Sequence, residues 1–202
     1  MKNFWDEKYS IDDYYYGIQP NQFLKSSVRL LPKMAKVLCI GEGEGRNAVF
    51  LSSLGFSVTA VDFSEIARKK ALELAELQKV QMDYQVSDLS HFHFDIDTWD
   101  AVISIFCHLP PELRAEVHDK IQMSLKKDGL FITQAYTPEQ LSFKTGGPKD
   151  IQMLYTETIL RADFKKLDWV QLVTSVEEIQ EGIGHHGMSS VISGVGKKMV
   201  LI

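Results

Sequence analysis

The chain has 202 residues, 45% of them apolar and 24% charged, and its 22 basic against 27 acidic side chains give a formal net charge of −5. That apolar content suffices for one buried core, and the acidic balance lacks the basic footprint of a nucleic-acid binder. The two cysteines, Cys39 and Cys107, lie in the apolar runs VLCI and ISIFC, so neither a disulfide framework nor a cysteine-rich metal site is expected. MKNFWDEKYS is too polar for a signal peptide, and no apolar run reaches the roughly 20 residues of a membrane span. We therefore expect one cytoplasmic domain over 1–202, as a monomer or homodimer, with an N-terminal cap region (1–35), a core (36–136) and a C-terminal part (137–202).

An aromatic stretch, DDYYYGIQPN, precedes an expected helix over Gln22–Leu31. Lys36–Ile40 is a short apolar strand that runs into GEGEG. Asn47–Leu54 then places Ala48, Phe50, Leu51 and Leu54 on one helical face, with Gly55 as its C-cap. Ser57–Val61 is β-branched and ends at Asp62. Ser64 is a good N-cap for a helix carrying Ile66, Ala67, Ala71, Leu74 and Ala75 at helical spacing. Met82–Val86 is a third strand, followed by Ser87-Asp88. Trp99–Phe106 is a fourth, and its unbroken apolar run suits a strand covered on both faces.

Pro110 and Pro111 open a helix with Leu113, Val117, Ile121 and Leu125 on one side. Lys126-Lys127-Asp128-Gly129 is expected to close it, with cations in the last turn and then a glycine. Leu130–Ala135 is a fifth strand. Beyond a loop containing Gly146-Gly147-Pro148, a short helix is expected near Thr156–Asp163. The strands Val170–Gln180 and Ser189–Val200 should pair antiparallel across GIGHHGM. Alternating strands and helices predict an α/β fold on a parallel sheet.

In such sheets ligands sit beyond the carboxyl ends of the strands. Three consecutive strand ends carry suggestive groups here. Gly41, Gly43 and Gly45 allow close backbone approach, Asp62 is placed to accept ribose hydroxyls, and Asp88 to accept an adenine amino group. Together they read as an adenosine site. The spacing G-x-G-x-G, with Arg46 where a third fingerprint glycine would stand, departs from the dinucleotide motif. Glu42 and Glu44 would also repel a pyrophosphate, by a few kcal/mol per contact at about 4 Å. A ligand bearing an ammonium and a sulfonium suits an acidic loop, which points to S-adenosylmethionine. The plainer alternative has both glutamates in solvent, with Arg46 offsetting one.

From Val37 to about Ala135 the chain resembles the class I S-adenosylmethionine-dependent methyltransferases. VLCIGEGEGRN is similar to their first motif, AVDFS to the second and VSDL to the third; WDAVISIF and LKKDGLFI resemble their fourth strand and the segment before the fifth. Cys39 and Glu42 depart from the usual first motif. The resemblance implies a Rossmann-like, doubly wound, mostly parallel sheet of seven strands with an antiparallel last strand. It implies cofactor contacts from Gly41, Glu42, Gly43, Gly45, Arg46, Asp62, Phe63, Ser64, Asp88, Leu89, Phe106 and Tyr16, with Phe63 beside adenine. GEGEGRN, YYYGIQPN and the late GGP resemble the small bacterial tellurite- and thiopurine-type branch, whose members act on small, often soft nucleophiles.

Methyl transfer from a sulfonium leaves a neutral leaving group, so positioning alone can supply much of the catalysis. A base is needed only for an acceptor that keeps its proton. His108, after the fourth strand, is the candidate base or else a cap of the loop before Pro110. Tyr136 is a candidate wall of the acceptor pocket or a packing residue. His185 and His186 are expected in a solvated turn, and without clustered acids or cysteines no metal site is expected. Trp5 and Tyr14–Tyr16 form a lid or pack the N-terminal helix. His108-Leu109-Pro110-Pro111 differs from the N-P-P-Y motif of enzymes that methylate nucleic-acid amines, which favours a small-molecule acceptor. Two rivals are a non-catalytic cofactor-binding or scaffold domain and a dinucleotide-dependent oxidoreductase.

Overall fold

In the computed structural model, which describes residues 2–199, seven strands form a single sheet. They are β1 (Lys36–Ile40), β2 (Ser57–Asp62), β3 (Asp83–Val86), β4 (Trp99–Ile105), β5 (Leu125–Tyr136), β6 (Leu167–Glu181) and β7 (His185–Lys198). Their order is β3-β2-β1-β4-β5-β7-β6. β1 to β5 pair parallel, and β7 inserts antiparallel between β5 and β6. This is the Rossmann-like, mostly parallel sheet with an antiparallel last strand that the resemblance implies. The order reverses between β1 and β4, which opens a crevice at their carboxyl ends.

The helices are α1 (Lys2–Tyr9), α2 (Gln22–Ser27), α3 (Arg46–Ser53), α4 (Glu65–Leu77), α5 (Pro111–Ser124), α6 (Gln140–Phe143) and α7 (Glu157–Asp163). Alternation of side chains along each strand sends one set to each face. Leu38, Val102 and Phe131 pack with Val117 and Ile121 of α5 and Leu160 of α7. Val37, Ala60 and Ile103 pack on the other face with Leu24 of α2, Ala48 and Leu51 of α3 and Ala71 of α4. Each large side chain so buried contributes roughly 1.5–3 kcal/mol. Among the described residues no helix is long and apolar enough to cross a membrane.

Several elements differ from the sequence expectation. The helix expected over Gln22–Leu31 stops at Ser27 and tightens into a 3₁₀ turn over Val28–Leu30. In α3, Ala48 and Leu51 are buried as expected, but Val49 joins them while Phe50 is half-buried and Leu54, at the C-cap, is exposed. Lys126–Gly129 do not cap α5. Leu125 already has extended backbone and pairs with Trp99, and the next β4–β5 pair is Ala101 with Leu130, so these four residues bulge out of the ladder. Asp128, not Gly129, takes the left-handed conformation, at φ 63°. Gly129 is needed for closeness instead, because a Cβ there would stand 2.9 Å from the Lys126 carbonyl oxygen and 3.1 Å from that of Trp99. The β6–β7 hairpin is longer and its turn shorter than expected: Glu181 pairs with His185, leaving Gly182–Gly184 as the turn. Val200, assigned by sequence to the last strand, lies outside the described residues.

Candidate functional site

The acidic glycine loop after β1 owes much of its charge to local structure. Gly45 stands at the N-cap of α3 and offers no side-chain oxygen. Glu42 reaches forward instead, and its Oε1 accepts from the backbone N–H of Asn47 (2.9 Å) and of Ala48 (2.7 Å). A carboxylate at a helix N-terminus is favourable for both the orphan N–H groups and the dipole. Burial nevertheless pushes the Glu42 carboxyl up to about 7, against the pull of those two donors and Arg46.

Glu44 meets neither solvent nor ligand space. It is 3% exposed and pairs with Lys70 of α4 at 2.5 Å. The same ammonium donates to the carbonyls of Tyr9 (3.3 Å), Ile11 (3.1 Å) and Asp13 (2.6 Å). Glu44 therefore belongs to a latch between the glycine loop, α4 and the N-terminal segment. Arg46 makes its ion pair with neither loop glutamate: its Nη2 donates to Glu181 at 2.6 Å, and it acts on Glu42 only through its charge. The loop also packs tightly on α4. Gly45 has φ 89°, and a Cβ there would stand 2.6 Å from that of Ala71. Gly45→Ala is expected to lower stability by about 1–3 kcal/mol, the range for forcing an extra methyl into a packed site, in a urea melt.

The strand ends converge on one cavity. Gly41, Glu42 and Arg46 line it from the β1 side, Asp62 and Phe63 from the end of β2, Asp88 and Leu89 from beyond β3, and Phe106 and His108 from beyond β4. Gly43, Gly45 and Ser64 lie behind this wall. The N–H of Gly43 and the N–H of Ser64 each donate to Asp62, both at 3.0 Å, so they orient the carboxylate rather than face the cavity. Burial pushes Asp62 up to about 6, although those N–H groups and that of Phe63 pull it down. Asp88 is held below the usual carboxylate range by two hydrogen bonds from Ser90.

Aromatic rings from the N-terminal segment close the cavity. Trp5 and Tyr9 of α1 stack at 5.7 Å, Tyr16 lies 6.0 Å from Trp5, and all three are on the wall. Asp6 of α1 accepts from the Ser64 hydroxyl at 2.5 Å, which ties this roof to α4's N-cap. Tyr14 and Tyr15 are not on the wall. The Tyr14 hydroxyl donates to the Lys70 carbonyl, and the Tyr15 carbonyl accepts from Ile183 and Gly184 of the β6–β7 turn.

The two sequence candidates beyond β4 and β5 are built into the structure. His108 Nδ1 donates to the Met153 carbonyl at 2.7 Å, and its Nε2 accepts from the Tyr136 N–H at 3.2 Å. Both ring nitrogens are thus engaged, and burial pulls the imidazole down to about 4. The ring borders the cavity but offers it no lone pair. Tyr136 is fully buried behind Phe106, at a ring distance of 4.7 Å, and is not on the wall. Phe106 itself holds φ 53°, a backbone conformation that costs an aromatic residue about 1–3 kcal/mol and is met mainly at functional positions.

His185 corrects the sequence reading. It is the first residue of β7, 5% exposed, and on the cavity wall. His186, its neighbour, is exposed, as expected. Strand alternation sends the two rings to opposite faces. The signal was hidden because GIGHHGM has the composition of a turn. Cys107, expected only as a thiol in an apolar run, also reaches the wall, as do Asn47 and Lys2, for which no site role was expected from the sequence.

Comparison with known proteins agrees with this geometry. Residues 37–129 match the family described as "Methyltransferase domain". An uncharacterized methyltransferase of Schizosaccharomyces pombe is 35% identical over 71 residues, which cover 35% of this chain and 49% of that protein. The aligned part thus spans about half the length of the curated relatives it matches. Among solved structures, the N-methyltransferase NodS from Bradyrhizobium japonicum, in complex with S-adenosyl-L-homocysteine, superimposes with a TM-score of 0.76 at 13% identity over 98% of both chains. TehB from Haemophilus influenzae gives 0.72 at 17% identity, over 98% of this chain and 67% of that one. A structure described as converting a disulfide bond into a thioacetal during echinomycin biosynthesis gives 0.78 at 15% identity, over 97% and 88%. Residues 37–129, just under half of the chain, therefore match a methyltransferase domain by sequence, and the chain shares its Rossmann-like fold with solved methyltransferase structures.

Proposed function

We propose that this protein transfers a methyl group from S-adenosylmethionine to a small-molecule acceptor. One observation carries the reading: the ends of β1, β2, β3 and β4 present a glycine turn, Asp62, Asp88-Leu89 and Phe106 to a single cavity under an aromatic roof. The groups present fit this cofactor. Three carboxyl groups on the wall, Glu42, Asp62 and Asp88, suit a cation, and the two cationic side chains there are each paired elsewhere, Arg46 with Glu181 and Lys2 with Asp6. The rings of Trp5, Tyr9, Tyr16 and Phe106 suit a sulfonium.

In this reading Asp62 accepts the ribose hydroxyls. Phe63 and Leu89 flank the adenine, and Asp88 takes its amino group. Gly41 and Glu42 receive the amino-acid end, and Phe106 and Tyr16 face the methyl group. When bound, S-adenosylmethionine supplies an electrophilic methyl whose departure leaves a neutral thioether. The chain's own part is to hold the acceptor in line and exclude water. A small and soft acceptor, with sulfur, selenium or tellurium as nucleophile, is supported by Cys107, Leu109 and Leu113 on the wall and by the likeness to the tellurite- and thiopurine-type branch. The net charge of −5 speaks for a small molecule over a nucleic acid.

Calorimetric titration with S-adenosylmethionine and S-adenosylhomocysteine, with NAD as control, tests the reading. Binding of the first two alone supports it; tight NAD binding would favour an oxidoreductase. Labelled methyl transfer to thiophenol, 2-mercaptoethanol, selenide and tellurite then separates an enzyme from a silent binding domain. Asp62→Asn is expected to weaken S-adenosylhomocysteine by about 1–3 kcal/mol, the range for hydrogen bonds to a charged acceptor. Unchanged affinity in the folded variant would remove Asp62 from the site.

A further inference from the structure

We infer that His185 is the proton acceptor for the methyl-accepting nucleophile and Glu181 its positioning residue, so that, among the soft acceptors proposed above, the class is a thiol that enters with its proton on. This rests on the methyltransferase reading above and adds to it a base and a kind of substrate. Two histidines border the cavity, and they differ in one decisive respect. His108 spends both nitrogens on Met153 and Tyr136. His185 spends neither in a short hydrogen bond among the described residues, although it is buried.

Its ring is fixed by packing. Tyr16 lies at 4.3 Å, Phe106 at 4.4 Å and Tyr136 at 5.3 Å between ring centres. Its Nδ1 faces Glu181 Oε2 at 3.5 Å. Glu181 is held in turn by Arg46 at 2.6 Å and by the Asn21 amide at 2.8 Å. An ionised carboxylate on one side of an imidazole draws the ring proton to that side and leaves the other nitrogen as a lone-pair donor. Catalytic contacts of this kind are commonly long before substrate binds and shorten in the complex. The charged and titratable groups facing His185 are Glu181 from β6, Arg46 from α3, Tyr16 from the N-terminal segment, Tyr136 from β5 and His108 from the β4 side. Burial, seconded by Arg46, pulls the imidazole below its usual range, which keeps it neutral and able to accept.

In the step itself a sulfur lone pair of the thiol forms the bond to the methyl carbon. The carbon–sulfonium bond breaks, and its electron pair stays on the departing sulfur. The thiol proton passes to Nε2 of His185, so the positive charge lost at the sulfonium reappears on an imidazolium beside Glu181. Release of that proton to solvent resets the site.

Histidine-selective ¹⁵N spectra of the protein saturated with S-adenosylhomocysteine test this without turnover. Neutral His185 should carry its proton on Nδ1, and Glu181→Gln should shift the population toward the Nε2–H form. An Nε2-protonated ring in the wild type, or a tautomer unmoved by Glu181→Gln, would overturn the assignment. His185→Gln should retain S-adenosylhomocysteine affinity yet lose about 10²-fold in methyl transfer to thiophenol or 2-mercaptoethanol below the thiol's own pKa, with the loss fading above it. A loss that is the same at every pH, or turnover confined to selenide and tellurite, would also overturn it. Failure of S-adenosylhomocysteine to bind at all sinks the methyltransferase reading itself, whereas binding with the wrong tautomer sinks only the role of His185.

Discussion

Lys70→Met is expected to destabilise the protein by about 3–5 kcal/mol at neutral pH, the range for removing one partner of a buried ion pair. Lys70 is 8% exposed, pairs with the Glu44 carboxylate and donates to the carbonyls of Tyr9, Ile11 and Asp13. Methionine has a similar length and fills the space, but leaves the carboxylate buried and alone. The effect should depend on pH in a definite sense. Burial already raises Glu44, and Lys70 opposes it. Without Lys70 the folded-state pKa rises further above the unfolded value. A carboxyl raised in this way stabilises the fold at low pH and withdraws that contribution as pH climbs through the folded pKa. Urea melts should therefore show a deficit that shrinks toward pH 5 and grows toward pH 8. The double variant with Glu44→Gln should recover part of the loss. A deficit below about 1 kcal/mol, the scale of an exposed pair, would show that the latch is solvated. Because the latch anchors the roof, amide exchange across residues 2–16 should also accelerate.

Arg46→Met should have a comparable cost, again about 3–5 kcal/mol. The Arg46–Glu181 contact joins α3 to the end of β6, with both side chains 8% exposed. Burial raises Glu181, but His185 and Arg46 outweigh it and hold the carboxyl at about 2. A depressed carboxyl contributes stability above its unfolded pKa and loses it as pH falls toward the folded value. The wild type should thus lose this contribution between about pH 4.5 and 2, and Arg46→Met should lack it from the start. The double variant with Glu181→Gln, which no longer buries a lone carboxylate, should be more stable than Arg46→Met alone. If the two single losses simply add, the residues do not couple and the contact carries no energy of its own.

Local signals and tertiary placement contributed differently to this picture. Ser64 is the N-cap of α4, with its Oγ accepting from Ala67 N–H at 3.1 Å, as its residue type and position predict. Val117 and Ile121 are buried, as their spacing in α5 requires. These features depend on neighbours a few residues away. The Lys126–Gly129 segment misled for the converse reason. Its composition is that of a helix end, but long-range pairing of Leu125 with Trp99 decided its conformation. His185 misled in the same way: its strand exists because residues 177–181 of β6 are there to pair with it.

The sequence by itself determined the alternation of strands and helices, the parallel core, and the row of Gly41, Asp62, Asp88 and Phe106 at successive strand ends. Period, caps and turn chemistry are local, and a parallel sheet brings equivalent strand ends together whatever the details. Only the tertiary structure decided what each charge on the loop is for. Glu42 caps α3, Glu44 locks onto Lys70, and Arg46 turns away to Glu181. Partners from 5 to 135 positions away in the chain settle these roles, since a buried charge takes whichever donor or opposite charge the fold brings within reach. The same physics turned His108 into a strut and left His185, packed among the rings of Tyr16, Phe106 and Tyr136, on the cavity wall.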